Sequence, residues 1–418
     1  MQAIICNKAH PDLGCATIPL PMPDEEYAHC MELLEQMQIG GVTASDCYID
    51  QLHDAPSYLD VLEKQEVNID ELDFLARSLD RYIAEELAQF QSVAASRDIR
   101  DLATLINLSL CCDDVTVITD FSKLETVGKH HYLNMHGGTR TDTCAALNGE
   151  AIARELIDKG EGRVTPYGVL YENGMQLEVT YTGQSFPPYA DKQYLMELEL
   201  APSPAAPKDT PSTTLFLPIP EKRLERLLER GGYRTAEDVQ ISAWRSELPD
   251  QINSRIDIPR EGLIELNWMC QATGALEGPD MTRLAAAVIM AKPVGAAEVR
   301  RLAENLELFD FFPNIKTPEE YGKFMIQQSG HFDYDENLVG FYDYKGYGEQ
   351  RTKSESGEFN ELGYVCYKGT LSLDELMMGD PAEQEQIAEQ EQIAEQEQIA
   401  EQEQIAEQEQ GQAMGGMV

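Results

Sequence analysis

The amino-acid sequence predicts an α+β fold, and three observations carry that prediction. Helical and strand patterns mix irregularly, without the regular strand–helix–strand alternation of a parallel sheet. Short runs rich in β-branched and aromatic residues, bounded by glycine, read as hairpins. Most of the pattern also occurs twice in the same order, about 195 positions apart.

Each copy opens with a strand, residues 3–6 and 214–217. Pro21-Met22-Pro23-Asp24 and Pro218-Ile219-Pro220-Glu221 then start a helix, since proline is tolerated in a first turn and an acid complements the dipole. Tyr27, Met31 and Leu34 line one face of the first helix, and Leu224, Leu227 and Leu228 line the second; Gly40-Gly41 and Gly231-Gly232 stop them. A short strand follows, with Thr43-Ala44-Ser45-Asp46 and Ile49 matching Thr235-Ala236-Glu237-Asp238 and Ile241. The first helical middle covers 69–79 and 83–95, where Glu71-Leu72-Asp73-Phe74-Leu75 matches Glu265-Leu266-Asn267-Trp268-Met269. A strand is expected over 111–119, with Cys111-Cys112 as small core residues. Gly128-Lys129 matches Gly322-Lys323, and the closing hairpins lie at 164–171 and 359–367. Residues 175–181 and 194–200 alternate like an extra hairpin around Phe186-Pro187-Pro188-Tyr189, and the proline-rich run 201–214 reads as a stiff linker. The domains are therefore a first unit at 1–175, an inserted hairpin and linker at 176–212, a second unit at 213–372 and an acidic tail at 373–418. In the tail Ile387, Ile393, Ile399 and Ile405 recur every six residues, so they spread around a helix and share no buried face.

The 418 residues carry 74 acids against 32 bases, a formal net charge of −42. Nucleic acid is excluded as a direct partner, because affinity for it comes from cations that release counterions. An anionic membrane surface is excluded for the same sign of charge. Residues 1–150 hold 26 acids and 9 bases, and removing everything after 380 still leaves an excess of 32 acids. One stretch departs from this: residues 221–260 hold 8 of each. There is no leader-like apolar segment, and the nine cysteines form no C-x-x-C pair, which predicts a cytoplasmic protein with reduced, mostly buried thiols.

Catalytic motifs are missing. No P-loop, G-x-G-x-x-G, G-x-S-x-G or H-E-x-x-H occurs. His130, His131 and His136 cluster, but no cysteine or acid stands at ligand spacing, and Phe324 and Met325 are the apolar counterparts in the second copy. Asp333, Asp335 and Asn337 start like a calcium loop, but Leu338 takes the required glycine's place and Tyr344 that of the closing glutamate. The expectation is a non-enzyme with no cofactor and no metal.

The runs Tyr321-Gly322-Lys323-Phe324-Met325-Ile326, Leu338-Val339-Gly340-Phe341-Tyr342-Asp343-Tyr344-Lys345-Gly346-Tyr347-Gly348 and Gly357-Glu358-Phe359 with Gly363-Tyr364-Val365 resemble the C-terminal third of the antirestriction protein ArdA family. Leu147-Asn148-Gly149-Glu150-Ala151-Ile152-Ala153-Arg154-Glu155 is similar to a worn copy, and 71–76 with 87–90 resemble the family's helical middle. The resemblance implies an elongated α+β protein that imitates bent double-stranded DNA. Such a protein occupies the DNA channel of Type I restriction–modification enzymes without catalysis, usually as a dimer; the expectation here is either a homodimer or tandem units that replace the dimer. An excess of 32 acids matches the phosphates of roughly 16 base pairs. The expected mimic carboxylates in the first unit are Asp46, Asp50, Asp54, Asp60, Asp70, Glu71, Asp73, Asp80, Glu85, Glu86, Asp113 and Asp114. Asp333, Asp335, Glu336 and Asp343 are next in line in the second. The alternative is an acidic regulatory protein of a mobile element that binds another basic DNA-binding protein. Glu221-Lys222-Arg223-Leu224-Glu225-Arg226 departs from the mimic pattern and marks either an interface or a decayed copy.

Overall fold

Period-two burial makes the first strand: Ala3 and Ile5 of β1 (Gln2–Cys6) are fully buried while Gln2 is exposed. With β2 (Cys15–Pro19), β3 (Cys47–His53) and β4 (Glu66–Val67) it forms an antiparallel sheet of order β2-β1-β3-β4. Helix α1 (Tyr27–Gln36) buries Tyr27, Cys30, Met31 and Leu34, the i, i+3, i+4, i+7 pattern that turns one face to the core. The helical middle follows as α2 (Ile69–Asp80), α3 (Ala84–Arg97) and α4 (Leu102–Ser109). Leu72, Leu75, Phe90, Val93, Leu105 and Ile106 join the sheet residues in one continuous core. Then come β5 (Thr116–Ile118), α5 (Leu124–His136), α6 (Gly149–Asp158) and the hairpin β6 (Arg163–Thr165) and β7 (Gly168–Tyr171), giving a sheet of order β5-β7-β6.

The computed structural model describes residues 1–136, 146–188, 194–203, 212–330 and 333–379. These form two compact units, Met1–Arg245 and Ser246–Val418. The first unit closes with β8 (Met196–Pro202), β9 (Thr213–Leu217), α7 (Glu221–Arg230) and β10 (Val239–Ser246), whose sheet order is β10-β8-β9. The second holds α8 (Asp250–Asn253), α9 (Leu263–Gly274), α10 (Gly278–Ala291) and α11 (Ala296–Glu304). After them stand β11 (Phe309–Pro313), α12 (Pro318–Gln327), α13 (Tyr344–Glu355), β12 (Glu358–Phe359), β13 (Gly363–Tyr367) and α14 (Leu373–Met378). Its sheet order is β11-β13-β12. Among the described residues no helix is long and apolar enough to cross a membrane.

The fold is α+β, and the same order of elements occurs twice. In each run three helices lead to a strand, a helix pair and a hairpin that pairs back onto that strand. The matched glycines have a shared physical reason. A Cβ on Gly128 of α5 would lie 1.8 Å from the Gly149 carbonyl oxygen of α6, and one on Gly322 of α12 would lie 1.9 Å from the Tyr344 carbonyl oxygen of α13. Backbones this close leave room only for hydrogen.

Three sequence expectations are corrected. Residues 175–181 form no strand; β8 pairs instead with β9, placing Met196 opposite Leu217 and Leu198 opposite Leu215. The counterpart of β1 is consequently β8, central in its sheet, and residues 213–217 correspond to β2. The strand expected over 111–119 is only Thr116–Ile118, because Cys112–Asp114 turn as a 3-10 helix. The thiols are not all reduced: Cys6 and Cys15 are disulfide-bonded. The repeat-bearing part of the tail and most of the proline-rich run lie outside the described residues.

Candidate functional site

Asn68 caps α2 by accepting from the Glu71 N–H at 3.1 Å, which starts the helix just before a run of carboxylates. Asp70 and Asp73, three apart, share a face that points inward; both are buried. On α7 the residues Arg223, Arg226 and Arg230 are spaced three and four apart, so they also share a face. The two faces meet.

Arg226 grips Asp70 bidentately, Nε at 3.0 Å and Nη2 at 2.8 Å, and also donates to the Gly40 carbonyl. Arg230 donates from Nη2 to Glu71 at 2.7 Å and from Nη1 to Asn68 at 3.0 Å; its side chain is only 2% exposed. Its guanidinium lies 4.6 Å over the Phe186 ring, which itself stacks on Phe74. Arg223 bonds Asp24 at 2.6 Å and the Met22 carbonyl at 3.0 Å, and lies 4.2 Å over the Tyr27 ring. Asp73 accepts from the Met22 N–H at 2.6 Å and from Arg77 Nε at 2.8 Å. Burial first, and then the Asp70 charge, push the Tyr27 hydroxyl above the usual phenol range. Burial alone would lower the Arg226 pKa, but the hydrogen bond and charge of Asp70 raise it. Four carboxylates (Asp24, Asp70, Glu71, Asp73) and four guanidiniums (Arg77, Arg223, Arg226, Arg230) thus neutralise one another inside the first unit. Beside them lies a cavity of about 140 Å³.

This is a correction to the expected mimic surface. Asp70, Glu71 and Asp73 are not on it, because their charges are spent on an arginine-bearing helix. The balanced stretch 221–260 was the signal in the sequence; what it could not give was the partner.

The remaining candidates divide by partner. Asp46 accepts from the Gly40 and Gly41 N–H groups at 2.9 and 3.1 Å, closing the turn after α1. Asp50 pairs with Lys64, and Glu86 accepts from the Ile83 N–H at 3.0 Å at the start of α3. Asp335 holds a turn by accepting from the Asn337 N–H, and Asp343 caps α13 by accepting from the Gly346 N–H. Asp54, Asp60, Asp80, Glu85, Asp113, Asp114, Asp333, Asp335, Glu336 and Asp343 are exposed and make no ion pair among the described residues. Tyr82 donates to the Ser109 carbonyl and Gln89 to that of Val115, tying the turn before α3 to the 112–114 turn. That gathers Asp80, Glu85, Glu86, Asp113 and Asp114 at one end of the helical middle.

His131 Nδ1 lies 2.8 Å from the Thr116 hydroxyl, and burial holds its imidazole below the ordinary range. Among the described residues no group of three or more His, Cys, Asp or Glu could hold a metal ion. What the arrangement offers is unpaired negative charge on fixed elements. Neither a family model nor a curated protein sequence matches the chain.

Proposed function

We propose that the protein is a non-catalytic antirestriction inhibitor, built of two tandem ArdA-like units. Working in the cytoplasm, it occupies the DNA channel of a Type I restriction–modification enzyme as an acidic DNA mimic. The observation that carries the reading is the separation of charge in the compact unit Met1–Arg245. Its arginines near α2 are consumed inside by Asp24, Asp70, Glu71 and Asp73, while Asp54, Asp60, Asp80, Glu85, Asp113 and Asp114 are exposed and make no ion pair among the described residues. A channel that collects phosphates would be steered to such a surface by long-range attraction. The twofold order of elements supports the tandem reading, and supports one chain standing in for two.

The experiment is plating of unmodified phage on a Type I restricting host with and without this protein. Restored plaque numbers are the expected result, with no change on a non-restricting host. Unchanged restriction at full expression of folded protein would sink the reading and favour an acidic regulator of another basic DNA-binding protein.

A further inference from the structure

Eight of the nine cysteines are described, and they fall into two kinds. Cys30, Cys47, Cys112, Cys270 and Cys366 are buried, and Cys111 is half-buried. Burial pushes the Cys112 and Cys270 thiols up to about 12 and that of Cys366 up to about 11, which suppresses the thiolate that any exchange requires. Cys6 and Cys15 differ. Cys15 is exposed, Cys6 is half-buried, and they are the last of five register pairs joining β1 to β2, with Cα atoms 4.4 Å apart.

We propose that Cys6 and Cys15 form a reversible thiol–disulfide site that clips the loop 7–14 where it joins the two strands of the β1–β2 hairpin. Its exchange partner is a low-molecular-weight disulfide. The position argues for reversibility. Four further register pairs, from Gln2↔Pro19 to Ile5↔Ala16, hold the strands together, so the two sulfurs stay opposed when reduced. Cys15 is exposed, and exposed disulfides are the labile ones, whereas structural disulfides resist reduction. Beyond the clip the loop is held mostly by itself. Ala9 and His10 N–H groups donate to the Asn7 side chain, Leu13 to the His10 carbonyl and Gly14 to that of Pro11. Its ties to the rest include Asn7 Nδ2 to the Met37 and Gln38 carbonyls, an exposed Lys8–Glu66 pair and Lys8 over the Tyr48 ring.

Closure balances as follows. One protein thiolate attacks the small disulfide, forming a mixed disulfide and releasing one small thiolate. The second protein thiolate attacks the protein sulfur of that mixed disulfide and releases the other. Two protein thiols are oxidised, one small disulfide is reduced to two thiols, and the two protons end on those thiols. Opening is the reverse.

The test uses the full chain in its native state, with oxidised and reduced glutathione as the probe and alkylation read by mass spectrometry. The expected result is that mild reductant opens Cys6 and Cys15 to alkylation while Cys30, Cys47, Cys112, Cys270 and Cys366 stay protected. Oxidised glutathione should then restore the cross-linked peptide. Hydrogen exchange at Ala9, His10, Leu13 and Gly14 should be several-fold faster in the reduced form, and Cys15→Ser should exchange like the reduced protein under both conditions. A pair that resists reduction until the protein unfolds, a cross-link that does not return, or loop amides indifferent to redox state would each overturn the proposal. The alkylation and exchange readings on the unsubstituted protein decide it even if Cys15→Ser does not fold.

Discussion

Helices α2 and α9 hold the same place in the two runs of elements, as do α1 and α7, and their charges have gone opposite ways. Where α2 presents Asp70, Glu71 and Asp73, α9 presents Ile264, Glu265 and Asn267. Where α7 carries three arginines on one face, α1 carries none. Glu265 is served locally by Arg300 at 2.8 Å, whereas the α2 carboxylates depend on α7. The helix pairs α5–α6 and α12–α13, in contrast, keep a glycine at the same crossing. Backbone-to-backbone contacts tolerate no side chain, so the two runs agree there. Side-chain charges can be exchanged as long as the partner changes too, and that is where they differ.

The comparison breaks hardest at Arg226. Arg226→Ala leaves Asp70 buried without its partner, and a loss of about 3–5 kcal/mol is expected in chemical denaturation, the range for stranding one member of a buried pair. Replacing both together, Arg226→Met with Asp70→Leu, should recover most of that loss, because the two desolvation costs vanish with the charges. A cost below about 1 kcal/mol for Arg226→Ala would mean that the pair behaves as a surface ion pair.

Next in size are the positions where the runs agree. Gly322→Ala and Gly128→Ala should each cost about 1–3 kcal/mol by overpacking a helix crossing, measured by thermal unfolding. Equal costs would sharpen the equivalence of the two helix pairs; tolerance at only one would break it.

A smaller effect on stability, and a larger one on function, is expected from the exposed carboxylates. Asp80→Asn, Glu85→Gln, Asp113→Asn and Asp114→Asn combined should leave the melting midpoint unchanged or higher, since repulsion is relieved. Protection of phage against restriction should fall with each added substitution, while any single one is nearly silent. A folded quadruple variant with full protection would move the binding surface to Asp333, Asp335, Glu336 and Asp343.

Salt gives the smallest change inside the molecule. Unfolding midpoints should shift little between about 50 and 500 mM salt, because the arginine pairs are buried beyond screening. Affinity for the target, carried by exposed charge, should fall steeply over the same range. Parallel responses in a titration series would show that the buried and exposed carboxylates are not distinct populations.

Much of this was legible in the chain. The helix α2 was readable at Ile69 because its apolar residues recur three and four apart, and the repeat was readable because glycines at forced contacts cannot drift. The hairpin β6–β7 was readable from Gly168 and its β-branched neighbours. The identity of β8's partner was not, since residues 175–181 and 213–217 offer the same alternation, and only pairing chooses between them. The fate of Asp70 was equally hidden: a carboxylate on an amphipathic helix looks solvated until an arginine from a distant segment covers it. Counting acids gave the charge of the molecule and said nothing of how much reaches its surface.

The covering arginine is also late. Asp70 and Arg226 are separated by 156 positions, so the contact belongs to the slow, non-local class in folding. During synthesis at about 5–20 residues per second, α2 emerges on the order of ten to thirty seconds before α7 exists. In that interval the carboxylates of α2 must remain hydrated, and the face they occupy stays open. The first compact unit is therefore incomplete on the ribosome until more than half of the protein has been made, and a nascent chain stalled before Arg230 displays an acidic face that the finished molecule hides.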